Sequence, residues 1–193
     1  LEQRGLIEQT EERGKYRLGV GLLRLAGATT ARLDVVQEAR PICRQLAQRT
    51  GETVNVAVLS DNSALYLDQV AGSSALQSHN WVGQHVPLHA TSNGKVLLSG
   101  LEPDRLSEIL GRLPAFTGST ITKRSAIVEE LAKARSDGYA VAVDELEIGL
   151  TAVAAPVPRG PHRTVGHRQV DVGTSEHRRL PDRVLRRAPL PGR

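Results

Sequence analysis

The chain of 193 residues has one cysteine, no methionine, one tryptophan and one phenylalanine, and aromatic residues make up only 3% of it. A single cysteine excludes an internal disulfide and fits a reducing, cytoplasmic setting. With so few rings, the core has to be aliphatic, drawn from Leu, Val, Ile and Ala within a hydrophobic share of 39%. No run approaches about 18 consecutive apolar residues, so no membrane span is expected. The opening Leu1-Glu2-Gln3-Arg4 has none of the features of a secretory signal. Its lack of an initiator Met reads as a chain cut from something longer. A phosphate loop is missing too. A Walker motif requires Gly where His89 stands and Ser or Thr where Val96 follows Lys95. No cofactor is expected.

The net charge of +4 is misleading. Residues 159–193 hold nine Arg against three acids, while the rest of the chain is slightly acidic. Global basicity therefore says little about nucleic-acid binding by the main body of the chain.

The most informative stretch, residues 86–98, reads Val-Pro-Leu-His-Ala-Thr-Ser-Asn-Gly-Lys-Val-Leu-Leu. Pro87 and Gly94 punctuate small and polar residues, and an apolar run follows at once. The pattern predicts a tight loop feeding a short buried helix capped by Thr91 or Ser92. The first amides of such a helix have no internal partner and carry the positive end of its dipole, which suits a carboxylate. The same small residues equally suit close packing of the helix.

Upstream, residues 6–9 and 15–18 read as two strands turning through 10–14, with Gly14 free to take a positive φ. Lys15 and Arg17 share one face and Arg13 sits at the tip. They form an ordinary solvated hairpin or a wing that touches DNA phosphates. Leu22, Leu23, Leu25 and Ala26 recur at helical spacing over 18–28. A second helix runs from Asp34 towards Gly51, with Val35, Ala39, Ile42 and Leu46 as its stripe and Pro41 as a kink. Residues 53–59 and 64–70 make a hairpin, and 76–81 a third strand. Trp81 is placed at the sheet margin. Leu106, Ile109, Leu110 and Leu113 line a helix after Pro103. Another spans 122–137, with Ile127, Leu131 and Ala134 inward and Gly138 closing it. Strands at 139–143 and 151–157 flank an acidic loop. The fold class is α+β, an antiparallel sheet flanked by helices. In 158–193, Pro and Arg dominate and little order is expected. A strand is hinted at over 164–172. Such a tail suits nucleic acid or an acidic partner, but charge runs are usually solvated.

The order of Gly5-Leu6-Ile7-Glu8, Tyr16-Arg17-Leu18-Gly19, Ala39-Arg40-Pro41, Thr50-Gly51-Glu52-Thr53-Val54, Pro87-Leu88-His89-Ala90-Thr91, Gly94-Lys95, Thr120-Ile121-Thr122, Gly138-Tyr139-Ala140-Val141, Glu145-Leu146-Glu147 and Val153-Ala154-Ala155-Pro156 resembles the IclR family of bacterial transcription regulators. The resemblance covers residues 1–157. It implies a ligand-responsive, DNA-binding transcription regulator. An N-terminal winged helix-turn-helix would bind an operator, and a linker helix would join it to a GAF-like effector domain. That domain would bind a small, anionic metabolite and form homodimers or homotetramers. It divides the chain into the end of the winged helix-turn-helix with its wing hairpin (1–18), the linker helix (19–33), the effector-binding domain (34–157) and an atypical Arg/Pro-rich tail (158–193).

Carried over position by position, Ser92, Asn93 and Gly94 match the anion-binding turn. Val86, Leu150 and Ala152 match apolar walls, and Ala75 and Ser78 match a covering strand. Asp144 stands one or two positions late for the family's pocket acid. Arg13, Lys15 and Arg17 fall on the wing. The base-reading helices are not matched, so sequence-specific DNA contact is not expected of this stretch. The family's closing strand, with its Ser-x-Ser-Gly-Pro turn, and its final helix are not matched after Val157. The abrupt shift resembles a reading-frame slip, and it predicts a sheet short of one strand with an open edge.

Three other readings compete. A Ser92/His89/Asp144 triad would make the chain a small hydrolase, although no nucleophile elbow surrounds Ser92. His79, His85 and His89 would make a metal site if the fold gathered them. An inactive fragment of a regulator is the third.

Overall fold

The computed structural model describes residues 1–10, 14–31, 34–73, 79–157 and 168–175. Arg13, Ala75, Ser78 and most of the tail fall outside these residues.

A 3-10 turn, Glu2–Arg4, leads into an antiparallel hairpin of β1 (Ile7–Gln9) and β2 (Tyr16–Leu18), with Glu8 directly opposite Arg17. The first long helix, α1 (Gly21–Ala31), starts three residues later than its periodicity suggests. The next, α2 (Asp34–Thr50), runs as one span through Pro41. Its inward stripe is Val35, Val36, Ala39, Cys43 and Ala47. Ile42 was expected on that stripe but is solvent-exposed, and Cys43 takes the inward place one residue on.

β3 (Thr53–Ser60) and β4 (Ser63–Val70) form the expected hairpin. Asp61 and Asn62 take φ of +47° and +60°, the two positive values a two-residue turn needs to follow strand twist. The expected strand over 76–81 is not found in the part described. The strand that pairs with β4 is instead β5 (His85–Val86), set by Ala64 opposite Val86. Two residues are too few to show alternation in a sequence. Trp81 lies at the sheet margin, its ring 5.9 Å from that of Tyr66, and its backbone N–H donates to Gln69 Oε1.

Three helices follow, α3 (Ser92–Ser99), α4 (Pro103–Ile109) and α5 (Arg124–Asp137), the last closing on Gly138 at φ +78°. Then come β6 (Ala140–Val143), β7 (Leu150–Val157) and β8 (Arg168–Ser175).

The main sheet has six strands in the order β5-β4-β3-β8-β7-β6, each pair antiparallel. The expectation of a missing strand and an open edge is therefore overturned. β8 lies between β3 and β7 and bonds to both. The reason is backbone geometry. Two parallel rows of unpaired N–H and C=O groups accept any extended segment that reaches them, whatever its side chains.

Each face of the sheet carries its own core. On one, Val54 and Val56 of β3 meet the stripe of α2. On the other, Ala57, Ala64, Tyr66, Val86 and Leu88 meet Leu97 and Leu98 of α3 and Ile127 and Leu131 of α5. Val96 continues this layer onto Ala134, Ala140 and Ala154. Among the described residues no helix is long and apolar enough to cross a membrane.

Candidate functional site

Every residue of α3 is buried, polar ones included. Thr91 caps it as expected. Its Oγ1 accepts from the Gly94 amide at 3.1 Å and donates to the Pro87 carbonyl at 2.8 Å, which pins the helix start to the preceding turn. Gly94 has a packing reason to be glycine, because a Cβ there would overlap the Leu88 backbone carbonyl. Ser92 and Asn93, on the first turn, are fully buried.

Lys95 is the unexpected member of this turn. Only 1% of its side chain is exposed. Its Nζ donates to Glu145 Oε1 at 2.5 Å and to the Val141 carbonyl at 2.9 Å, and lies 3.5 Å from Glu130 Oε1. A buried ammonium is tolerable only with such pairing, since each unpaired buried ion costs several kcal/mol. Burial pushes the Glu145 carboxyl above its ordinary pKa, against the pull of Lys95.

Glu145 belongs to the β6–β7 loop, which is braced from three sides. Thr120 Oγ1 donates to the Glu145 carbonyl at 2.6 Å, and Thr117 Oγ1 to the Asp144 carbonyl at 2.5 Å. The Asp144 carboxylate accepts from the Gly149 amide at 2.6 Å and closes the loop on itself. Asp144 sits at φ +56° and its amide bonds the Leu150 carbonyl. Ala152 follows on β7, opposite Ala142. The fold thus gathers Asp144, Leu150 and Ala152 at one end of β7. It joins them to the Ser92-Asn93-Gly94 turn through Lys95–Glu145. Val86 packs in the apolar cluster with Leu97 and Leu98 of α3.

Asn55 of β3 completes the buried polar set. It is 4% exposed, and its Oδ1 has no hydrogen-bond partner. Sequence reasoning passed over Asn55, Lys95 and Glu145. A Lys inside Gly-Lys-Val-Leu-Leu, and an Asn inside Val-Asn-Val-Ala-Val, are the signals that were present.

The competing arrangements do not assemble. His89 Nε2 donates to the Pro114 carbonyl at 2.9 Å, a contact that ties the ring to the loop before α5. His85 Nδ1 meets Ser63 Oγ at 2.6 Å and His79 Nε2 meets Gln84 at 2.8 Å. Among the described residues no three His, Cys, Asp or Glu are placed to hold a metal. On the hairpin, Arg17 is engaged by Glu8 at 2.9 Å and Lys15 is exposed.

Solved structures share this fold. The IclR of Thermotoga maritima matches with a TM-score of 0.80 at 26% identity, over 95% of this chain and 74% of that one. An IclR homolog from Microbacterium hydrocarbonoxydans, solved in complex with 4-hydroxybenzoate, matches with a TM-score of 0.76 at 30% identity, over 91% of this chain and 72% of that one. An IclR transcriptional regulator from Alicyclobacillus acidocaldarius matches as well, with a TM-score of 0.78 at 25% identity, over 90% of this chain and 70% of that one. Residues 27–166 match the family described as bacterial transcriptional regulator IclR C-terminal, and the chain belongs to the IclR family. The HTH-type transcriptional regulator XynR of Escherichia coli (strain K12) is 34% identical over 159 residues, 81% of this chain. The chain spans 57 to 63% of the length of the first three curated relatives it matches.

Proposed function

We propose that this chain is the effector-sensing part of a ligand-responsive transcription regulator. Its ligand is a small carboxylate held at the first turn of α3 by Ser92, Asn93 and Gly94, walled by Val86, Leu150 and Ala152 with Asp144 at the rim. The observation that carries this reading is the wholly buried, Thr91-capped turn, tied by Lys95–Glu145 to the loop that bears Asp144 and Leu150. Helix starts favour anions, and a structural neighbour was solved with 4-hydroxybenzoate, itself a small carboxylate. No catalytic group is assigned, and the regulator acts by binding. Occupancy shifts the population between two arrangements, coupled to DNA affinity through α1. Operator contact belongs to the complete winged helix-turn-helix of a homodimer or homotetramer. Arg13, Lys15 and Arg17 would add only phosphate contacts, and Arg17 does so in competition with Glu8.

A thermal-shift screen of small carboxylic acids tests the site. A true ligand at 100 times its Kd stabilises the chain by about 2.7 kcal/mol. Loss of that shift in a Ser92→Leu variant is expected. Its survival there would move the site elsewhere.

A further inference from the structure

The geometry points to Asn55 as a second recognition point of the same pocket, one that reads a hydroxyl on the far side of the ligand from its carboxylate. This inference rests on the carboxylate reading above and gives it a substrate class, the hydroxy acids. β3 alternates strictly against β8 from Thr53 to Val58. Val54 and Val56 point into the α2 core, while Ala57 packs with Leu97 and Leu98 of α3. Asn55, two residues from Ala57, therefore shares the α3 face. On that face its row continues to Gln69 of β4 on one side. On the other side it passes through the Asp171 position of β8 to Ala154 of β7. Ala154 contacts Val96, one turn beyond Ser92 and Asn93. Gln69 is already engaged, because its Oε1 takes the Trp81 amide.

Asn55 is 4% exposed and its Oδ1 has no partner. A buried amide oxygen left without a donor is a standing cost, and such groups are rare unless something binds them. A helix start that favours a carboxylate and an amide that lacks a donor, on the same side of one sheet, define a ligand with a charged end and a neutral polar end. A hydroxyl suits the amide in either rotational assignment, since it both donates and accepts.

Matched acids read this out: benzoate against 4-hydroxybenzoate, propionate against lactate, and butyrate against 3-hydroxybutyrate, each titrated calorimetrically into the whole chain. For at least one pair the hydroxylated acid binds about tenfold tighter to the native chain, as one buried hydrogen bond predicts. In Asn55→Leu that preference falls to within about twofold. The leucine also raises the melting temperature of the unliganded chain, because it removes an unsatisfied polar group, whereas a purely structural Asn would make the substitution destabilising. Asn55→Ala repeats the ligand comparison should leucine not fit. Acids that bind with no hydroxyl preference, or a preference that survives in both variants, overturn the role of Asn55 and leave the carboxylate site standing. If none of the six acids binds, both fall.

Discussion

The two faces of the sheet are built from opposite materials. The α2 face is sealed with Val, Ala and Cys43, whose thiol is pushed up to about 11 by burial. It too buries a carboxylate, that of Asp68, but the partner guanidinium of Arg40, at 2.6 Å, stays half in solvent. The α3 face buries an ammonium, a carboxylate, an Asn amide and a capped helix start. A chain stabilised only by packing would not keep such groups in its interior, because a well-packed apolar replacement of a buried ion pair is often neutral or better. The α2 face shows what this sequence does when stability alone is at stake. The α3 face carries the buried polar groups on which the proposed carboxylate site rests.

The sharpest way to break the contrast is Lys95→Met. Removing one partner strands Glu145 in the interior and should cost about 3–5 kcal/mol in chemical denaturation. The double variant Lys95→Met/Glu145→Leu should recover most of that loss. A single variant as stable as the parent would mean that the pair is solvated in solution. Next in size is Gly94→Ala, where the new methyl meets backbone rather than a yielding side chain. About 1–3 kcal/mol is expected, read as a fall in Tm of roughly 2–4 °C per kcal/mol.

Smaller again is the pH response of Glu145. Its carboxyl titrates above the ordinary value when folded, so the folded state holds that proton more tightly than the unfolded chain. Its contribution to stability is therefore full below the ordinary glutamate pKa and declines as pH rises through the folded pKa. Melting curves of the native chain against Glu145→Gln across that window should show the native chain losing ground as pH rises, and a constant gap would contradict the shift. Least affected should be Arg17→Ala on the exposed hairpin, within about 0.5 kcal/mol, since exposed ion pairs contribute little.

How far the sequence discloses this contrast depends on the range of the interaction. α2 and its stop at Gly51, the β3–β4 hairpin, the Thr91 cap and the Gly138 terminus were all legible, because each rests on periodicity or on turn chemistry within a few residues. β5 was misplaced because two residues carry no period. β8 was foreseen only as a hint over 164–172, because Arg and Gln stand where a central strand usually carries apolar side chains, and its place is dictated by what β3 and β7 leave unpaired. Lys95 and Glu145 are 50 residues apart, and no local pattern joins them. In the candidate site, the buried, capped turn at Ser92, Asn93 and Gly94 stood out because its members are contiguous. Asn55 was not, because a polar residue in a strand reads as solvent-facing until a helix is laid over it.

The strand order has a consequence in time. β3 with β4 and β6 with β7 are local hairpins that can form as soon as their own residues exist. Among the described residues, nothing joins the two halves through the sheet until β8, the last of the described strands, arrives between them. Synthesis runs from the N-terminus, so the two halves wait, each with a bare edge, while residues 158–175 are still being made. The pairing of β3 with β8 closes a loop of more than a hundred residues, the slow kind of contact in folding. A nascent chain stalled before Ser175 should therefore be sticky and protease-sensitive, and should become compact only when its closing strand is released.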